Sequence, residues 1–219
     1  MKYDLLIFDL DGTLIDSAPD LRHAVNRVLA EHGGDPLSLP QIRSMIGDGA
    51  VQLLARAFAA RSIDPGDPKA ALKRFFSIYE ADPTANTVLY DGVSEALRAM
   101  HAGNFELAVC TNKPANPANE ILRRLGISDY FKQVIGGGTH PFKKPEPRML
   151  TRLLSDFGVG PDAALMVGDS EVDAATAHTA GVAFALMTYG YRRGGVADIR
   201  CLAALDHFGE LVPLVGAAA

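Results

Sequence analysis

Short, almost uninterrupted apolar runs alternate with longer stretches of helical spacing along most of the chain. The first, Leu5-Leu6-Ile7-Phe8 within residues 3–10, is followed by runs at 106–110, 164–167 and 182–187 and a weaker one at 133–135. A segment apolar at successive positions suits a strand buried on both faces, as parallel strands between helix layers are. Between these runs, residues 92–102, 116–125, 147–157 and 172–180 read as helices. The alternation predicts an α/β fold: a parallel-sheet, Rossmann-like core with helices on both faces.

Residues 16–85 break the alternation. Amphipathic segments at 21–31, 40–46, 50–61 and 70–81 are separated by Gly33-Gly34-Asp35-Pro36 and Asp64-Pro65-Gly66-Asp67-Pro68, and no strand-like run lies among them. The pattern predicts a helical domain at 16–85 inserted into an α/β core formed by 1–15 and 86–219. A length of 219 residues suits one domain carrying such an insertion. The final Gly216-Ala217-Ala218-Ala219 is expected to fray.

Composition narrows the classes. Hydrophobic residues make up 48% and charged residues 21%, enough apolar surface for a core and too little charge for a disordered chain. Lys+Arg 21 against Asp+Glu 26 leaves a net charge of −5, the wrong sign for a partner made of nucleic-acid phosphate or anionic lipid. No apolar run reaches the roughly 18 residues of a membrane helix, and Asp4, Asp9 and Asp11 interrupt any signal-peptide stretch. Two cysteines without C-x-x-C spacing suit a reducing cytoplasm. No feature of the sequence assigns an oligomeric state.

The strand-like runs end in polar residues: Asp9 and Asp11, then Thr111-Asn112, then Asp169. Ligands of open α/β sheets sit beyond the carboxyl ends of the strands, so these groups can converge from distant parts of the chain. Asp9 and Asp11, two apart, share one side of an extended segment, while Asp169 and Asp173 are one helical turn apart. Taken singly, each pair also reads as turn or helix-capping acid, and Thr111-Asn112 as an N-cap. Brought together, like charges about 4 Å apart repel by roughly 4 kcal/mol per pair at an effective dielectric near 20, so a positive group is required. An all-carboxylate cluster calls for a hard cation, Mg²⁺ where a phosphate shares the site, and Lys144 in its proline-flanked loop can add a further charge. Thr111 and Asn112 offer donors to phosphate oxygens. Cys110 reads as a packed core thiol, and the six histidines carry no motif. No P-loop is present.

Asp9-Leu10-Asp11-Gly12-Thr13, Thr111-Asn112-Lys113, Lys144-Pro145 and Gly168-Asp169-x-x-x-Asp173, in that order, resemble the four signature motifs of the haloacid dehalogenase-like hydrolases. The resemblance spans essentially the whole chain, and the insertion resembles the family's helical cap. Within the family the likeness is greatest to the phosphoglycolate phosphatase branch, through residues 8–17, 42–50 and 111–114, with a looser match from Gly190 onward. It implies Mg²⁺-dependent hydrolysis of a small phosphorylated metabolite, with Asp9 attacking phosphorus and Asp11 serving the leaving oxygen. Mg²⁺ would be held by Asp9, the Asp11 carbonyl and Asp169, with Asp173 ligating it through water or orienting Lys144. Thr111, Asn112 and Lys144 would grip the phosphoryl group, and Arg43 of the insertion is the candidate cation for a carboxylated leaving group. Two other readings stay open: a phosphosugar mutase, or a phosphatase for another small ester or pyrophosphate. A phosphoacceptor signalling module shares the Asp, Thr and Lys, but lacks the insertion and the second acid.

Overall fold

Every residue of Leu5-Leu6-Ile7-Phe8 is fully buried, and the two faces of that strand seed two separate cores. The computed structural model describes residues 3–217; the tail residues 218 and 219, expected to fray, lie outside them. In chain order the elements are β1 (Leu5–Phe8), β2 (Ile15–Asp16), α1 (Ala18–Glu31), α2 (Leu39–Arg43), α3 (Ala50–Ala60), α4 (Pro68–Tyr79), β3 (Val88–Leu89) and α5 (Val93–Ala102). They continue with β4 (Glu106–Pro114), α6 (Ala115–Arg124), β5 (Gln133–Gly137), α7 (Arg148–Phe157), β6 (Ala164–Gly168), α8 (Glu171–Thr179), β7 (Ala183–Met187), β8 (Ala203–Leu205) and α9 (Leu211–Val215). No helix among the described residues is long and apolar enough to cross a membrane.

Six strands form a parallel sheet in the order β5-β4-β1-β6-β7-β8. The chain runs outward through β4 and β5, then returns to the other side of β1 for β6, which makes β1 the place where the winding reverses. Ligand crevices open beyond the carboxyl ends at such a reversal. Because side chains alternate across a strand, Leu5 and Ile7 meet Met149, Leu150 and Leu153 of α7 and Ala174 and Ala177 of α8. Leu6 and Phe8 face the other way, toward Val93, Leu97 and Met100 of α5 and Leu211 of α9. The parallel α/β core and its strands therefore match the sequence expectation, with ends moved by a few residues.

Between β2 and β3 lie only helices, and α1 packs against α2, α3 and α4. Their apolar faces join the core on the Phe8 side through Leu21, Val25, Phe58 and Phe75. The chain leaves and re-enters through the antiparallel β2–β3 ribbon, where Ile15 pairs with Leu89. Buried Asp20 ties the two connections together by accepting from the backbone N–H of Asn86 and Thr87 and from the Thr87 hydroxyl at 2.7 Å.

Four strands depart from the sequence pattern. The ribbon strands are two residues each, too short to show a period. β8, Ala203-Ala204-Leu205, is poor in the β-branched and aromatic residues that mark strands. β4 runs on past Cys110 to Pro114, so Thr111, Asn112 and Lys113 belong to the strand, and the following helix is capped at Pro114 without a side-chain bond. Polarity ends the apolar run there, but burial does not end.

Candidate functional site

Asp9 leaves β1 at the reversal of the sheet, its own N–H bonded to Val167 O of β6 at 2.9 Å. Asp169 and Asp173 reach the same point from β6 and from the first turn of α8, where Ser170 and Asp173 form a reciprocal capping box. Carboxylate oxygens of Asp9, Asp169 and Asp173 lie within 4.8 Å of one another, all three residues being buried. Asp169 is held by Thr13 Oγ1, donating at 2.8 Å, and by Tyr191 N–H at 2.6 Å. Space around it is tight: a Cβ on Gly12, at φ +88°, or on Gly190 would collide with the Asp169 carboxyl.

Lys144 answers this charge. Its side chain is 1% exposed, and Nζ stands 2.6 Å from Asp173 Oδ1 and 2.8 Å from Asp9 Oδ1. The contact with Asp173 is a directed hydrogen bond; Asp9 Oδ1 is ion-paired to the same ammonium, and no other group among the described residues hydrogen-bonds that buried oxygen. Asp173 is filled on its other side, where Oδ2 accepts from Ser170 Oγ at 2.6 Å and Ser170 N–H at 3.1 Å. That geometry suits the orientation of Lys144 better than a free ligand.

Burial sets the protonation balance. Desolvation raises the Asp9 carboxyl to about 6, Lys144 opposing and Asp173 adding to the rise. Asp169 is pushed well above the carboxylate range by burial and by the charges of Asp173 and Asp9. Burial alone would lower Lys144, but Asp173 and Asp9 outweigh it and hold the ammonium above its ordinary value. One lysine, paired with Asp9 and Asp173, thus serves a cluster of three buried acids. This donor set fits a hard divalent cation held by Asp9 and Asp169. The neighbouring thiol fits no such role, because burial pushes Cys110 up to about 12.

The sign of a pH dependence follows. An acid raised in the fold, here Asp9 from 3.8 to about 6, binds its proton more tightly folded than unfolded, so ionising it lowers metal-free stability as pH climbs through that interval. A divalent cation binds the ionised form and cancels the loss. The gain in Tm on adding the cation to chelator-treated protein is therefore expected to grow from about pH 5 to about pH 7. Thermal melts at fixed ionic strength check this; a gain equal at both pH values would contradict it.

Asp11 sits on the other side of Asp9. Its Oδ1 accepts from Ser17 Oγ at 2.5 Å and from Lys113 Nζ at 2.8 Å, with Oδ2 3.1 Å from the same ammonium. Asn112 is committed to holding the loops. Its amide carbonyl accepts from Lys144 N–H at 2.9 Å, and Nδ2 donates to Lys144 O and Gly47 O, each at 3.0 Å. Thr111, 1% exposed, accepts from Lys113 N–H at 3.2 Å and can donate into the cavity.

That cavity, about 50 Å³ of water-accessible space, lies between the β1 and β4 ends and the helical insertion. Asp9, Asp11, Thr111, Asn112 and Lys113 form one wall, and Ile46, Gly47, Gly49, Leu53, Phe75 and Tyr79 the other. The Ile46–Gly49 wall is pinned from the core by Asn112, by Lys143 Nζ on Asp48 O at 3.2 Å, and by Arg193 on Ile46 O and the Asp48 carboxylate. Arg43 stands apart: it pairs with Asp16 at 2.7 Å and does not line the cavity.

The structure thus brings together Asp9, Asp11, Thr111, Asn112, Lys144, Asp169 and Asp173, and leaves Arg43 outside. Two participants escape sequence reasoning. Lys113 stands in a motif that the sequence offers only for its two neighbours. Tyr191 not only holds Asp169 by its N–H; its hydroxyl donates to Asp16 at 2.6 Å and accepts from Ser17 and Ala18 N–H, joining the acid cluster to the start of the insertion. The Gly190 crowding at Asp169 shows only in three dimensions.

A parallel sheet with acids at the β1 and β6 ends, a lysine between them and helices inserted after β1 defines a class, and comparison with known proteins agrees. The family model for haloacid dehalogenase-like hydrolases matches residues 6–187. The chain belongs to that family. It is 45% identical over 212 residues to a protein of Cereibacter sphaeroides (strain ATCC 17025) named phosphoglycolate phosphatase, covering 96% of both chains. A protein of the same name from Rhodospirillum rubrum is 44% identical over 217 residues, covering 96% of this chain and 90% of that one. The crystal structure of a predicted phosphoglycolate phosphatase from Haemophilus somnus 129PT superposes with a TM-score of 0.94 at 32% identity, over 98% of this chain and 99% of that one.

Proposed function

We propose that this enzyme is a Mg²⁺-dependent phosphomonoester hydrolase whose substrate is 2-phosphoglycolate. The observation that carries the reaction type is the convergence of Asp9, Asp169 and Asp173, with buried Lys144 paired to Asp9 and Asp173, beside a further acid, Asp11, that faces the cavity. The substrate rests on relatives of 45% and 44% identity that bear the name phosphoglycolate phosphatase.

In this reading Asp9 attacks phosphorus, forming an aspartyl-phosphate as the bond to the leaving oxygen breaks. Asp11 gives its proton to the departing alkoxide. It then takes a proton from water, which attacks the same phosphorus, frees Asp9 and yields inorganic phosphate. Mg²⁺ held by Asp9, Asp169 and the Asp11 carbonyl would neutralise phosphoryl charge. Lys144 and Thr111 stabilise the transferring oxygens, and Asn112 positions Lys144. Uncatalysed monoester hydrolysis is among the slowest of reactions, and charge stabilisation of this kind lowers its barrier more than any other device open to an enzyme. Residues 16–85 act as a cap over the core of 1–15 and 86–219, excluding water and reading the leaving group. The two unpaired cysteines suit a reducing cytoplasm.

Release of inorganic phosphate from a panel of 2-phosphoglycolate, β-glucose 1-phosphate, pyrophosphate and a nucleoside monophosphate, with Mg²⁺ and with chelator, tests this. The highest kcat/KM is expected for 2-phosphoglycolate, and activity should vanish in chelator. Isomer rather than phosphate from the sugar ester, or a single phosphorylation without turnover, would refute it.

A further inference from the structure

We propose that Lys113 selects the leaving group by pairing its ammonium with a carboxylate one carbon beyond the ester oxygen, with the Tyr79 hydroxyl as a second donor. The inference rests on the phosphatase reading above and names the residues that would give it substrate preference.

The charge inventory of the cavity is the first argument. Lys113 is the one cationic side chain among the described residues that line it. Arg43, outside the cavity, is spent on Asp16, and Lys144 on two acids, Asp9 and Asp173, whereas Lys113 answers Asp11 alone. An anionic leaving group would otherwise face Asp9, Asp11 and the apolar walls of Leu21, Leu53 and Phe75, an environment that repels it.

Geometry is the second. The leaving oxygen must lie at Asp11 to receive its proton, and Lys113 Nζ is 2.8 Å from one Asp11 oxygen and 3.1 Å from the other. A substituent one carbon from that oxygen falls within reach of the same ammonium. The lysine is 4% exposed, so its charge acts in a water-poor space where a charge-assisted bond is strong.

Tyr79 supplies an independent observation. It is 3% exposed, its ring stacks on Phe75 at 5.7 Å between centroids, and it lies 4.8 Å from Lys113 Nζ. Its buried hydroxyl has the Lys113 ammonium as its charged and hydrogen-bonding neighbour, and no other group among the described residues hydrogen-bonds it. An ammonium can only donate, so the hydroxyl's own proton is left without an acceptor, and at a cavity wall a ligand oxygen can accept it. Lys113 comes from the core and Tyr79 from α4 of the insertion, so a carboxylate bound between them would bridge both parts.

The test compares kcat/KM for 2-phosphoglycolate and for ethyl phosphate, which lacks the carboxylate, in wild type, Lys113→Gln and Tyr79→Phe. Wild type is expected to favour the carboxylated ester. Lys113→Gln should cut that preference by about 10- to 100-fold, and Tyr79→Phe, which keeps the stacked ring, by about fivefold. Any loss common to both esters reports support of Asp11. Glycolate binding followed by calorimetry gives a readout independent of turnover and should weaken in both variants. Variants that keep the wild-type preference and bind glycolate normally would overturn the assignment of Lys113 while leaving the phosphatase reading intact. A wild-type enzyme that hydrolyses both esters equally well would instead overturn the substrate reading, and the assignment with it.

Discussion

The Asp9→Asn variant is expected to fold normally and to lose at least about 10⁴-fold in kcat, the scale on which enzymes lose activity when a covalent nucleophile is removed. An amide has nearly the shape of the carboxyl it replaces, so the packing around this buried side chain is kept. It removes one of three crowded negative charges, and Lys144 retains its hydrogen bond to Asp173. Stability in chelator should therefore be unchanged or slightly improved, because burial already disfavours an ionised Asp9. Those two directions separate the chemistry from the fold. Single-turnover phosphate release and a urea titration of the same sample check both, together with trapping of labelled phosphoryl enzyme in wild type alone. Undiminished turnover would remove Asp9 from the reaction.

The sequence makes Asp9 visible for a physical reason that also explains what it hides. β1, β4, β6 and β7 are buried between helix layers, so each appears as an apolar run, and the acids and Thr111 at their ends stand out as the first polar residues. Parallel pairing then determines that these ends lie side by side. β8 and the β2–β3 ribbon lack such runs and owe their pairing to neighbours already in place. Lys113 is harder to find, because its contact with Asp11 spans 102 positions and depends on β4 continuing beyond its apolar part. Tyr191 follows β7 in a loop with no periodicity, and the groups it bonds are a carboxylate from β6 and the residues that begin α1. Asn112 is visible as a residue but not in its geometry: its amide bridges two backbones rather than facing the cavity alone. Arg43, singled out by its sequence proximity to the Gly47-Asp48-Gly49 loop, is turned by the fold toward Asp16.

Lys144→Met is expected to be the most destabilising single change at the site, costing about 3–5 kcal/mol in chelator, the range found when one partner of a buried ion pair is removed. Methionine fills much the same volume, so the cost comes from charge rather than from a cavity. Without the ammonium, the Asp173 oxygen it bonded at 2.6 Å is left unmatched beside Asp9 and Asp169. For a chain of this length the loss corresponds to a fall in Tm of roughly 10 °C. A divalent cation should recover part of it, because the ion supplies positive charge to the same three carboxylates, whereas turnover should stay low with the cation present. Adding Asp173→Asn to Lys144→Met should also recover stability, by removing the charge the lysine had neutralised; additive losses in that double-mutant cycle would show that the two residues do not interact. A Lys144→Met protein that melts like wild type in chelator would mean that the acids are screened by solvent or by protons instead. The lysine would then owe its burial to phosphoryl binding alone.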